Sequence, residues 1–244
     1  MKKAIAFGDS VLRGVIIDSA RTIANNVRYM FLDSNFTTQA GQRLGVDIDN
    51  YGKFGSTISI GTGIVDRHLK QVGECDYTFL EYGGNDSDFD WPAIAADPFV
   101  HHEPRTPLRL FSEIYACIVE KVRRSGSKPV MLSLTPLDPA MYFGHFTRYM
   151  TEEQKENVIV WLGGTTESIT SWHEMYNLEV FKLSHRLGVP LLDITTPFLS
   201  RKDFREYYCE DGIHPNEKGH RLIADAICDQ LKEADDQSFW KTRT

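Results

Sequence analysis

Four short stretches, far apart in a chain of 244 residues, hold groups suited to acyl transfer. The first is Gly8-Asp9-Ser10, which follows the apolar run Ala4-Ile5-Ala6-Phe7. A serine hydroxyl is a weak nucleophile until a base takes its proton, and histidine titrates close to neutrality. Asp211-Gly212-Ile213-His214 offers such a base three residues after a carboxylate. That carboxylate can accept from the second ring nitrogen, fixing the tautomer and stabilising the imidazolium. The oxyanion formed when a serine attacks a carbonyl needs donors already in place. The backbone N–H groups of Ser10 and Gly55 and the side-chain amide of Asn85, in Gly83-Gly84-Asn85-Asp86, can supply them. Gly, Asp and Ser are also ordinary turn residues. Their chemistry therefore depends on a fold that brings the four stretches together.

The pattern of the chain provides one. Five apolar, β-rich runs recur at wide intervals: Ala4–Phe7, Val46–Tyr51, Tyr77–Tyr82, Pro129–Leu134 and Val189–Ile194. Between them lie segments of helical period: Phe36–Leu44 after an Asn35 cap, Ile64–Val72, Leu108–Val122, Trp172–Leu187 and Pro215–Leu231. Alternating strand and helix predicts one three-layer α/β domain over residues 1–234, with a parallel sheet and right-handed crossovers. Ligands bind such sheets at the carboxyl ends of the strands, and all four stretches follow strand ends. Pro215 suits the first turn of a helix and would set His214 rigidly at its entrance. Residues 235–244 read as a polar tail.

Residues 87–107 and 136–169 are too long for ordinary connections. Both are rich in aromatic residues and both emerge at the Ser10 edge, where Trp91 and one or more of Tyr142, Phe143 and Phe146 are expected to wall a substrate pocket. Asp9 and Asp86 flank the reactive blocks and are expected to cap loop N–H groups.

Composition narrows the class. The net charge of −7 argues against a general nucleic-acid binder. The four cysteines, Cys75, Cys117, Cys209 and Cys228, form no C-x-x-C pair and no zinc-site spacing. Free thiols in a reducing, cytoplasmic setting are the expectation, with Cys209 a small apolar filler. No apolar run approaches a membrane span or a signal-peptide core. His101, His102 and His145 read as loop residues, and His68, His173, His185 and His220 as exposed or satisfied helix residues. Other motifs fail on particular residues. Leu12 occupies the second glycine position of G-x-S-x-G, Lys53 precedes Gly55 where a phosphate loop needs the reverse, and Asp66 stands where Gly61-Thr62-Gly63 would need a third glycine. No metal and no cofactor are expected.

The four blocks, in this order, resemble the SGNH (GDSL) hydrolase family. Gly8-Asp9-Ser10 matches its first block, with Val11 where leucine is common. Gly55 in Asn50…Gly55-Ser56-Thr57 matches the second, Gly83-Gly84-Asn85-Asp86 the third, and Asp211-x-x-His214-Pro215 the last. The resemblance implies a flavodoxin-like sheet of order 2-1-3-4-5, Ser10 as nucleophile, Asp211 and His214 as its partners, and Ser10, Gly55 and Asn85 as the oxyanion hole. It implies hydrolysis of a small-molecule acyl ester, either a small or carbohydrate ester or a lysophospholipid. Acyl transfer to a sugar or alcohol, or a non-catalytic binding module, are the other readings. The aromatic-rich segments lie outside the matching blocks, so substrate choice does not carry over.

Overall fold

The computed structural model describes residues 2–23 and 26–236. Strand β1 (Lys2–Gly8) is buried on both faces from Ala4 onward, as a continuous apolar run in a parallel sheet requires. It is followed by the one-turn helix α1 (Ser10–Arg13) and by an antiparallel hairpin of β2 (Val15–Ile17) and β3 (Tyr29–Phe31) outside the main sheet. Next come α2 (Phe36–Leu44), β4 (Val46–Asn50), α3 (Ile58–Val72), β5 (Tyr77–Glu81), α4 (Trp91–Ala96) and α5 (Leu108–Arg124). The chain continues through β6 (Lys128–Leu132), α6 (Pro139–Phe146), α7 (Glu152–Trp161), α8 (Glu167–Leu187), β7 (Leu191–Leu192), α9 (Thr196–Leu199), a 3-10 turn at Phe204–Tyr207 and α10 (Glu217–Asp236).

The main sheet is parallel and ordered β4-β1-β5-β6-β7, the 2-1-3-4-5 arrangement expected. Alternate residues of β1 feed two cores. Ile5 and Phe7 pack with α3, α5 and α8, while Ala4 and Ala6 pack with α2 and α10. Only alanine leaves room for Phe36 and Ala40 of α2 to lie against the strand, so the small residues set that layer's approach. The edge strand β4 alternates half-buried and exposed residues, and Asp47 and Asp49 are exposed, which discourages pairing with another chain.

Several boundaries differ from the sequence expectation, each for a local reason. Helix α3 starts at Ile58, six residues before Ile64, because the Asp86 carboxylate accepts from the Ile58 N–H at 3.0 and 3.1 Å. That cap comes from the loop after β5, so no local pattern announces it. Strand β7 has two residues, against the Val189–Ile194 expected, because Asp193 Oδ1 accepts from the Thr195 and Thr196 N–H groups and turns the chain into α9. Pro215 does not open the last helix. It bridges Tyr208, and Asn216 caps α10 by accepting from Lys218 and Gly219. Helix α10 runs to Asp236, and the remainder of the expected polar tail lies outside the described residues.

The two aromatic-rich segments are not irregular. They contain α4, α6 and α7, which pack on one another around Phe89, Trp91, Ile94, Leu137, Val158 and Leu162 in a core of their own. The hairpin β2–β3 has no counterpart in the sequence reading. Among the described residues no helix is long and apolar enough to cross a membrane.

Candidate active site

Ser10 stands where β1 ends. Gly8 lies so close to β5 that a Cβ there would fall 2.6 Å from the Glu81 carbonyl oxygen, which fixes a glycine at this turn. Asp9 caps α1, its Oδ1 accepting from the Val11 N–H at 2.8 Å, and so places Ser10 in the first turn.

The loop before α10 delivers the base. His214 Nε2 is 2.9 Å from Ser10 Oγ, and His214 Nδ1 is 2.7 Å from Asp211 Oδ2. Asp211 Oδ1 accepts from the backbone N–H groups of Ile213 and His214, at 3.1 and 3.0 Å. Burial pushes the Asp211 carboxyl upward, but hydrogen bonding from and proximity to His214 outweigh it and leave the carboxyl below its ordinary range. All three side chains are buried. An imidazole held this way can take a proton from Ser10 and return it.

Ser10, Gly55 and Asn85 line one cavity of about 450 Å³, as His214 does. Gly55 has φ of +68°, and a Cβ there would meet open space. The left-handed backbone, not crowding by neighbours, is what calls for glycine at this position. Asn85 Nδ2 donates to Asp9 Oδ2 at 3.0 Å, leaving its second amide hydrogen unspent.

The structure brings together three of the four expected wall residues: Trp91, Tyr142 and Phe146 line the cavity. Trp91 and Phe146 stack at 4.2 Å between centroids. Phe143 does not line it. It packs edge-on against Phe146 from behind, so the expectation for Phe143 is corrected. His101 and His102 stay outside the wall, and Cys209 is buried, accepting from the Ile17 N–H. Burial pushes its thiol up to about 12, which removes it as a nucleophile.

Sequence reasoning missed four contributors. Glu81 is buried beside Asp9, its Oε2 facing the Asp9 N–H at 3.3 Å. Burial and then the Asp9 carboxylate hold its carboxyl well above the ordinary range, and burial raises Asp9 as well, so the two buried carboxyls favour holding a proton between them. An acid inside an apolar strand run was the available signal. Asp88 accepts from Trp91 Nε1 and from Tyr142 Oη, both at 2.8 Å, and pairs with Arg105 at 3.1 Å, setting a polar group into an aromatic wall. Tyr29 and Phe54 flank His214, with ring centroids at 5.4 and 5.8 Å. Nothing in the sequence tied the Tyr29 hairpin to the site. Among the described residues no group of three or more His, Cys, Asp or Glu side chains is arranged to hold a metal ion.

Comparison with known proteins agrees with the fold. A crystal structure of a lipase/acylhydrolase from Enterococcus faecalis superposes with a TM-score of 0.67 at 15% identity, covering 96% of both chains. The inhibitor-bound aryl esterase of M. smegmatis gives 0.65 at 18%, covering 96% of this chain and 99% of that one. Est24, a carbohydrate acetylesterase from Sinorhizobium meliloti, gives 0.63 at 17% with the same coverage. In sequence, the uncharacterized lipoprotein YqeF of Bacillus subtilis is 25% identical over 242 residues, 92% of this chain and 87% of that protein. The model of the GDSL-like lipase/acylhydrolase family matches residues 6–222, nearly the whole chain, and the protein belongs to that family.

Proposed function

We propose that this acylhydrolase cleaves carboxylic esters in two steps through an acyl-Ser10 intermediate. The observation that carries the reading is the pair of contacts on one imidazole, His214 Nε2 to Ser10 Oγ at 2.9 Å and Nδ1 to Asp211 Oδ2 at 2.7 Å. As Ser10 Oγ attacks the carbonyl carbon, His214 takes the hydroxyl proton and Asp211 stabilises the resulting imidazolium. The carbonyl oxygen becomes negative against the N–H groups of Ser10 and Gly55 and the free amide hydrogen of Asn85. The tetrahedral species collapses, the alcohol leaves with the proton from His214, and a water deprotonated by His214 releases the acid.

The cavity favours an ester of a polar, ring-shaped alcohol with a short acyl group. Its wall combines the Trp91, Tyr142 and Phe146 rings with the Asp88–Arg105 ion pair and the buried His173. Rings offer stacking faces to a sugar, and the polar groups offer partners to its hydroxyls. A long alkyl chain would use the rings alone and draw nothing from the ion pair. The carbohydrate acetylesterase among the similar structures accords with that choice.

The test is a panel of aryl esters from acetyl to long chain, together with acetylated sugars. Hydrolysis should peak at acetyl and extend to the sugars, and Ser10→Ala should abolish it, a loss of about 10⁴-fold or more. Undiminished hydrolysis by Ser10→Ala would overturn the catalytic reading. A rate that climbs steadily with chain length would overturn the substrate reading alone.

A further inference from the structure

His214 is enclosed by more than its two hydrogen-bonding partners. The Tyr29 ring meets it edge-on at 5.4 Å, and the Phe54 ring stacks on it at 5.8 Å, 23° from parallel. Tyr29 and Phe54 also touch each other, at 5.2 Å between centroids. Phe54 is about half exposed, whereas Tyr29 is held at its far end. The Tyr29 hydroxyl lies 3.0 Å from His145 Nε2, on the last turn of α6.

The other end of α6 grips the same loop. The Asp138 N–H donates to the Gly212 carbonyl at 2.9 Å, and Gly212 sits so tightly on the helix that a Cβ would come within 2.6 Å of Met141 Cβ. The first turn of α6 thus holds the loop backbone between Asp211 and His214. Its last turn, through His145 and Tyr29, holds a ring against the imidazole itself. The two anchors span the helix, and Tyr29 reaches it from a hairpin otherwise separate in the chain.

We infer that Tyr29, fastened by His145, is a positioning residue for His214, keeping the imidazole in line with Ser10 Oγ while it takes and returns the proton. This rests on the reading of His214 as the general base. An imidazole that accepts, donates and carries charge in turn must not swing as its partners change. Asp211 fixes only one edge of the ring, and the aromatic contact restricts rotation out of that plane. The direction of the latch follows from its surroundings. Burial, and then Arg148, disfavour the charged form of His145, and a neutral ring with its proton on Nδ1 accepts at Nε2. Burial and the nearby Asp211 charge keep the Tyr29 hydroxyl protonated, so it has a hydrogen to give to that nitrogen.

The experiment is a double-mutant cycle on purified full-length protein, with kcat, KM and Tm measured for Tyr29→Phe, His145→Ala, their combination, and His145→Gln. Tyr29→Phe keeps the ring and removes the latch. It should lower kcat about tenfold with KM within about twofold, the size of loss that a slightly misplaced catalytic group gives. His145→Ala should match it, the double variant should lose no more than either single one, and His145→Gln, whose amide oxygen can accept, should recover most of the rate. A kcat in Tyr29→Phe and His145→Ala equal to that of the parent, or losses that multiply in the double variant, would overturn the inference. A fall in Tm alone, with kcat kept, would do the same, because it would make the latch merely structural. Ser10→Ala and His214→Ala run alongside separate the two readings. If they retain hydrolysis, the catalytic reading fails and this inference with it. If they abolish hydrolysis while Tyr29→Phe does not slow it, only the latch fails.

Discussion

Asn85 donates its side-chain amide to Asp9 Oδ2 at 3.0 Å, and that bond orients the amide proposed above as an oxyanion donor. Its neighbour Glu81 is buried beside it, and burial raises both carboxyls, that of Glu81 well above its ordinary range, so a proton held on Glu81 would leave Asp9 to accept. The Asp9 carboxyl accepts from both Asn85 Nδ2 and the Val11 N–H. On the proposed mechanism, the motif's aspartate acts through the amide that it aims.

Asp9→Asn should therefore be costly. An amide at position 9 can turn its NH₂ toward Asn85 and rotate the donor away, lowering kcat by about 10²-fold, as loss of an oxyanion donor does. Glu81→Gln keeps shape and neutrality and should cost no more than about threefold on the same scale. Steady-state kinetics on one acetyl ester decides it. Equal losses in the two variants would show that the proton does not reside on Glu81.

Gly212→Ala should damage stability and rate together. Gly212 has φ of +73°, and the added methyl would meet Met141 Cβ at 2.6 Å and the Asp138 carbonyl at 2.9 Å. Left-handed strain and overpacking together should cost about 2–4 kcal/mol in urea unfolding. Because the strained residue lies between Asp211 and His214, kcat should fall as well. A variant as stable as the parent would mean that α6 yields easily there.

The sheet order and the four reactive blocks were legible because each rests on a local signal: an apolar run, a turn residue, a helix stripe. Ser10, Gly55, Asn85, Asp211 and His214 could be assembled by counting which runs end at one edge. What stayed hidden depends on distant partners. The start of α3 is fixed by Asp86 from another loop, and the short β7 by the Asp193 turn. Tyr29 approaches His214 across 185 positions of chain, on a three-residue strand too short to show a period. Aromatic richness correctly marked the two long segments as unusual, but α6 (Pro-Ala-Met-Tyr-Phe-Gly-His-Phe) is apolar around most of its circumference, so no face stands out. The choice between Phe143 and Phe146 as wall residue was therefore not readable.

Thiol reactivity should separate by burial. Cys117 is exposed on α5, whereas Cys209 is buried and its thiol is pushed to about 12. Iodoacetamide at pH 8 should label Cys117 within minutes and leave Cys209 unmodified until the protein unfolds, as the thiolate is the reacting form. Mass spectrometry of the peptides reads the order. Early labelling of Cys209 would mean that the contact between the Ile17 N–H and its sulfur opens readily.

Acid stability should carry the mark of His220. This imidazole is fully buried, stacks on Phe36, and accepts from the Phe36 N–H through Nδ1, while Nε2 finds no partner. Burial, and then the nearby His214, lower it from 6.5 to about 3. Between those values the unfolded chain binds a proton that the folded one does not. Stability is thus full above pH 6.5 and falls as pH drops, by about 1.4 kcal/mol per unit. Asp86 works in the opposite sense, since burial raises its carboxyl to about 6 and the folded state binds that proton first. The parent curve mixes the two, so the useful quantity is the difference between the parent and His220→Gln, in which only the histidine is gone. That difference should be constant above pH 7 and should shift in favour of the variant as pH falls to 4, measured by urea unfolding at each pH. A difference that stays flat across the range would mean that His220 takes up its proton in the folded protein, and that the Phe36 contact opens to let it.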